Sequence, residues 1–244
     1  NTYSGGTYIN AGTVQFGSGG AGGSISSSAP LINNGTVIFN STTPVNIGGF
    51  GNDITGPGNL IVRSGANVTF GDANNASYTG WTLIEPGGVF QPCTGNTGAG
   101  FASSVITNNG RLTLISQNIP PTFGISNNIV GTGSVWIDTR NQNPGQVLFA
   151  GNNTYTGGTF IGGGGIVLGD GVTPGAGSIV GSVIFTNTTG PFIDPFPTSK
   201  RLVFNRPDAF TFTNNVVSMV TDGAQPQFSG SIEVQQGEVT LTGN

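Results

Sequence analysis

Three copies of one motif limit how this chain can fold. Aligned on a tyrosine they read Tyr3-Ser4-Gly5-Gly6-Thr7-Tyr8-Ile9-Asn10-Ala11-Gly12-Thr13-Val14, Tyr78-Thr79-Gly80-Trp81-Thr82-Leu83-Ile84-Glu85-Pro86-Gly87-Gly88-Val89 and Tyr155-Thr156-Gly157-Gly158-Thr159-Phe160-Ile161-Gly162-Gly163-Gly164-Gly165-Ile166. The copies lie 75 (78 − 3) and 77 (155 − 78) residues apart. Other segments recur in the same order. Thr36-Val37-Ile38-Phe39 matches Arg111-Leu112-Thr113-Leu114 and Arg201-Leu202-Val203-Phe204, and Asn59-Leu60-Ile61-Val62 matches Ser134-Val135-Trp136-Ile137 and Ser231-Ile232-Glu233-Val234. The repeat divides a single domain, 1–244, into units 1–74, 75–151 and 152–244, the third lengthened by an insertion near 181–199. Self-similarity of this kind marks a stacked array, in which each unit contacts only its neighbours.

Each matched segment is short, with aliphatic or aromatic residues at alternate positions, the pattern of a strand that turns one face to a core. Gly-Asn, Gly-Pro and Asn-Asn-Gly clusters between the segments supply turns. No stretch offers the period or composition of an amphipathic helix. An all-β fold is therefore expected. A propeller blade needs four longer strands in about 40 to 50 residues. Very short strands separated by corners instead suit a parallel coil, or solenoid. At roughly 20 to 25 residues per turn the chain is expected to make about ten short coils, about 50 Å long. Val37, Phe39, Leu60, Val62, Val68 and Phe70 are the expected inward columns.

The last residues run on into the first. Val239-Thr240-Leu241-Thr242-Gly243-Asn244 followed by Asn1-Thr2-Tyr3 reproduces Val147 to Tyr155. Both ends are thus expected to be uncapped. Leu241, Thr242, Gly243 and Asn244 of one copy would meet Asn1, Thr2 and Tyr3 of the next, in a head-to-tail homopolymer or in covalent tandem copies. The absence of an initial Met fits a processed or excerpted chain.

Composition narrows the function. The chain has 6 Lys and Arg against 10 Asp and Glu, and a net charge of −4, which leaves no basic face for nucleic acid. With no His and one Cys, the usual zinc ligands cannot be assembled. No cofactor or metal is expected. Cys93 has two readings, an intermolecular disulfide or a small buried apolar side chain, and the second is favoured by how commonly this residue is buried. Gly48 to Ile54 fits the start of a calcium-binding nonapeptide, but such sites need tandem copies and this segment occurs once. No membrane span or signal peptide is expected, since no run of 18 apolar residues and no basic start before an apolar core is present.

Catalysis is not expected. The acids are dispersed, and no His can activate a Ser or Cys. Lys200, Arg201, Arg206 and Asp208 form the nearest approach to a polar site, read as an ion pair bracing a corner. The outward positions are more informative: Tyr8, Leu83 and Phe160 are equivalent in the repeat, Gln15, Phe90 and Val167 likewise, and Trp136 stands where unit 3 has Glu233. Tyr8, Leu83, Phe90, Trp136 and Phe160 are candidates for lateral contact with another chain, or for burial beneath long loops. Trp81 and Trp136 are also candidates for stacking on a sugar ring. Sequons at Asn34, Asn40, Asn67, Asn75, Asn152 and Asn187 fit the Asn-, Ser- and Thr-rich composition.

Asn1 to Gln15, followed by an Asn-Asn-Gly-Thr strand and a Gly-x-Gly-x-Leu segment, resembles the autotransporter-associated β-strand repeat of bacterial passenger domains. The resemblance implies a right-handed parallel β-helix, exported and displayed outside the bacterial cell. Trp81 in place of the second Gly and the insertion in unit 3 depart from that pattern. The function expected is a non-enzymatic extracellular structural protein whose partner is itself. An adhesin module that presents loops to a cell-surface or extracellular glycan is the alternative, and a carbohydrate-active β-helix enzyme is third.

Overall fold

The computed structural model describes residues 5–23, 29–47, 54–70, 76–92, 103–116, 122–139, 145–186, 200–219 and 230–243. Among them are 23 strands and no helix. Every pairing between strands is parallel, as the repeat predicts. One coil runs through Ile54–Gly56, Asn59–Val62 and Asn67–Phe70, and the next through Ala76–Tyr78, Thr82–Ile84 and Val89–Gln91. Like strands stack on like into sheets of four, six, eight and five strands. The four-stranded sheet hands the chain to the six-stranded one across Pro57-Gly58, and the five-stranded sheet does the same across Ser126-Asn127. These two sheets therefore occupy the same side of a three-sided coil, the first early and the second late in the chain.

The expected inward columns fill the interior: Val37, Phe39, Leu60, Val62 and Val68 are fully buried and Phe70 is nearly so. Alternation explains this directly, because Val68 pairs with Phe90 and Phe90 with Leu112, giving a continuous apolar column along the axis. The longest ladder holds eight strands, spanning about 34 Å at ~4.8 Å per strand. This is shorter than the stack of about ten coils expected. The later coils are longer: Thr159 is followed on the next coil by Val183, 24 residues on (183 − 159), but Val183 by Val216, 33 on (216 − 183), and Ile166 by Leu202, 36 on (202 − 166).

Corners set the sequence requirement. At the turn between the six- and eight-stranded sheets, Gly88, Gly110, Gly133 and Gly157 stand one above another. Arg111 N donates to Gly88 O at 2.9 Å, Ser134 N to Gly110 O at 2.9 Å and Gly157 N to Gly133 O at 3.2 Å. A Cβ on Gly110 would lie 2.3 Å from Gly88 O, and one on Gly133 2.3 Å from Gly110 O, so space forces glycine here. A buried Asn completes the corner. Asn108 Nδ2 donates to Ser134 O at 2.9 Å, as Asn33 Nδ2 donates to Asn59 O at 2.9 Å. The Asn side chain lies on the glycine of the next coil, Gly133 above Asn108 and Gly58 above Asn33.

Those two corners belong to equivalent sequences on different sides. Thr36–Phe39 of unit 1 lies in the six-stranded sheet, its counterpart Arg111–Ser116 in the eight-stranded sheet, and the counterpart in Lys200–Phe212 in the five-stranded sheet. Partners on adjacent coils are about 22 to 24 residues apart over most of the chain, so each repeat of 75 to 77 residues winds three coils plus one side. Local structure is nonetheless preserved. The Tyr78 hydroxyl lies 2.6 Å from Thr82 Oγ1 and the Tyr155 hydroxyl 2.5 Å from Thr159 Oγ1, each pair buried at the entry to a strand.

Two outcomes follow. Gly133→Ala should destabilise the fold by about 2–4 kcal/mol through the clash with Gly110 O, measured by urea unfolding, whereas Gly5→Ala, where nothing lies within 4 Å, should change little. Burial holds the Tyr78 and Tyr155 hydroxyls above the usual 10.0, with the hydrogen bonds to Thr82 and Thr159 opposing the shift. In the unfolded chain these hydroxyls ionise near 10.0, so the folded state binds more protons at alkaline pH. The contribution of these tyrosines to stability should be constant below pH ~10 and fall above it by about 1.4 kcal/mol per pH unit for each. Tyr155→Phe should be weaker than the parent at pH 7 but lose less between pH 10 and 11.

Candidate functional site

The charged side chains brace the coil. Arg63 pairs with Glu85 on the next coil, and Ser64 N donates to Glu85 Oε2 at 3.3 Å. The cluster expected around Lys200, Arg201, Arg206 and Asp208 divides. Arg206 donates to Asp208 through Nε at 3.1 Å and Nη2 at 2.7 Å and lies 4.0 Å over the Phe210 ring, while Arg201 faces Glu233 at 3.6 Å. Hydrogen bonding from Arg206 lowers the Asp208 carboxyl. Asp170 is lowered to about 2 by the Thr173 and Val172 amides and the Thr173 hydroxyl, which close a turn on it. Among the described residues no three His, Cys, Asp or Glu side chains converge as a metal site. Cys93, Gly48 to Asp53 of the nonapeptide-like segment and most of the insertion near 181–199 lie outside the described residues.

The expected outward residues fall on different sides, because equivalent positions advance by one side per repeat. Tyr8 is on the four-stranded sheet and 63% exposed, Leu83 is half-buried on the six-stranded sheet, and Trp136 and Phe160 are half-buried on the eight-stranded sheet. Phe90 is a correction: it points inward and is fully buried between Val68 and Leu112. Its strand begins one position later in the motif than the strand Thr13–Phe16, because the corner Glu85 to Gly88, closed by Gly88 N donating to Glu85 O at 2.9 Å, is one residue longer than Asn10 to Gly12. A one-residue shift exchanges the two faces of a strand. Val167 points outward but is buried, at 3% exposure.

Trp136 has no free ring face for a sugar. Phe160 stacks on it with centroids 4.4 Å apart and planes 7° from parallel, and the Arg111 guanidinium lies 4.0 Å over the ring. The strand Ser134–Thr139 lies between those of Arg111 and Phe160, so the two neighbours cover opposite faces. Beside this stack a shallow groove of about 330 Å³ follows the glycine corner, lined by Gly88, Asn109, Gly110, Arg111, Thr132 and Gly133 among others.

The other candidate is a strand edge that no other described strand pairs with. Gly230–Leu241, twelve residues long, ends the five-stranded sheet and pairs on one side with Lys200–Phe212. Ile232, Val234 and Leu241 continue the inward columns of Leu202, Phe204 and Phe212. Those partners are buried, but Ile232 is 41%, Val234 50% and Leu241 50% exposed. In the first coil, by contrast, Ile9 and Phe16 are shielded, at 3% and 7%. Of the expected junction, Leu241, Thr242 and Gly243 stand at this edge, with Thr242 N donating to Phe212 O at 3.0 Å. Asn244, Asn1, Thr2 and Tyr3 lie outside the described residues. The strand alternation marks Ile232 and Val234 as core residues, and nothing in it separates a middle coil from a last one.

These features define a parallel β-solenoid built from a stacked repeat. The family pattern of the passenger-associated-transport-repeat matches residues 1–16 and 142–168, so the chain carries the repeat that its motif resembles. Both matches fall on copies of the tyrosine motif, and the second covers the strands Gln146–Phe149, Thr159–Gly163 and Gly165–Leu168. No curated protein and no solved structure matches the chain. Among the described residues no helix is long and apolar enough to cross a membrane.

Proposed function

We propose that this solenoid is a structural segment of a rod displayed outside the cell, of the passenger type, without enzymatic activity. The observation that carries the reading is the half-exposed inward column Ile232, Val234 and Leu241. An edge of twelve residues bearing half-exposed apolar side chains, with no further described strand paired to it, invites one. The coil that covers it is another coil of the same repeat, from a second copy stacked head to tail or from further covalent repeats. The passenger-associated-transport-repeat supports the secreted or surface location.

Electron microscopy tests this reading. Concentrated protein should form rods that lengthen by whole solenoids, and Val234→Lys, which places a charge in the interface, should leave short particles with an unchanged β-type circular dichroism spectrum. Particles that never lengthen, or a variant that lengthens like the parent, would count against it. Intact mass under denaturing conditions then separates the two sources of the coil: 24.6 kDa marks stacked subunits and far larger masses mark tandem repeats.

A second reading, an adhesin module binding a glycan, is favoured by the groove along the glycine corner, whose Asn109, Thr132 and Arg111 side chains suit a hydroxyl-rich chain. Replacing Asn109 and Thr132 by Ala should then lower retention on immobilised polysaccharide several-fold without shortening the rods. Equal retention would remove this reading.

A further inference from the structure

We infer that the rod carries an apolar stripe on its outer surface that joins it side by side to second copies of itself. On the six-stranded sheet Ile38, Ile61 and Leu83 form one outward column, Ile38 itself buried at 8% exposure and Ile61 and Leu83 half-buried, each flanked along its strand by fully buried inward residues. On the eight-stranded sheet the same motif positions supply Trp136 and Phe160, and Ile184 continues their column. Val217 extends it to the last strand of that sheet and is 41% exposed. The stripe thus steps from one side to the next, as the repeat does.

Two observations select a second copy as the occupant. The six strands of the first sheet contain no ionisable residue, so two such faces meet without repulsion or unpaired buried charge. The stripe offers one side chain per coil at a spacing of ~4.8 Å set by the backbone, which another coil of this repeat matches along its length.

The patch on each side is small. Three or four coils of about 4.8 Å, one strand wide, give a few hundred Å² per partner, well below the ~800 Å² per side of a stable complex. One copy should therefore associate weakly, and rods of several copies much more tightly, because each added unit adds a contact held at high effective concentration. This inference rests on the rod proposed above, and the experiment separates the two.

Chains of one and of three head-to-tail fused copies should be compared by sedimentation and electron microscopy, with Ile61→Lys/Leu83→Lys in every copy and Thr69→Lys, on the polar part of the eight-stranded sheet, as the control. Single copies should stay unbundled at micromolar concentration. Fused copies should bundle, with an apparent dissociation constant at least tenfold lower. The double substitution should raise that constant at least tenfold while rod length and circular dichroism are kept, and Thr69→Lys should leave it within twofold. Fused rods that stay single, or bundling unchanged by the double substitution, would overturn the stripe while leaving end-to-end continuation intact. Short particles that pair side by side and never lengthen would keep the stripe and overturn the rod. Should the double variant lose its β signal, Leu83→Gln, uncharged and of similar size, repeats the test, and bundling equal to the parent would overturn the proposal.

Discussion

The fold depends on how closely one coil lies on the next. Parallel strands fix that distance at ~4.8 Å, and whatever stands at a given place in one coil must fit against its counterpart in the next. In the interior this favours columns of Val, Ile, Leu and Phe, which stack at that spacing and exclude water. At the corners the backbones themselves meet, and no side chain fits between Gly110 O and the α-carbon of Gly133. Buried Asn33 and Asn108 succeed there because each side chain donates to the backbone of the next coil and rests on a glycine. The high glycine content is thus a steric condition of stacking as much as a matter of turns.

The repeat and the coil do not share a period. A strict match would place each copy of the motif on the same side of the rod. Here the strand beginning at Thr36 and its counterparts containing Arg111 and Arg201 occupy three different sheets, while the buried Tyr78–Thr82 and Tyr155–Thr159 pairs show that these two copies keep one local geometry. Corner chemistry is local enough to be carried from side to side, since it needs only an Asn, two glycines and a neighbour below.

This mismatch explains which parts of the molecule were legible in the sequence. Strand type, parallel stacking and the inward columns from Val37 to Phe70 follow from alternation and from the repeat, both of which are local signals. Leu83, Trp136 and Phe160 were placed outward for the same reason. Their grouping was not legible: Tyr8, Leu83 and Phe160 are equivalent in the repeat, yet the extra side per repeat separates them onto three sheets, while Trp136, from another motif position, pairs with Phe160. Phe90 was lost to a corner one residue longer than its counterpart. The covering of Trp136 by Arg111 and Phe160 depends on which strands become neighbours, which motif alignment alone does not give. The open edge at Ile232 and Val234 was hidden because a last coil has the same alternation as any other.

The first and last described coils differ in how well their apolar columns are covered. Ile9 and Phe16 are sheltered in the first coil, whereas the final strand lies bare. A coil laid against that strand would cover three half-exposed apolar side chains at once and pair with its backbone, so the spacing of Ile232, Val234 and Leu241 would fix the register of whatever packs there.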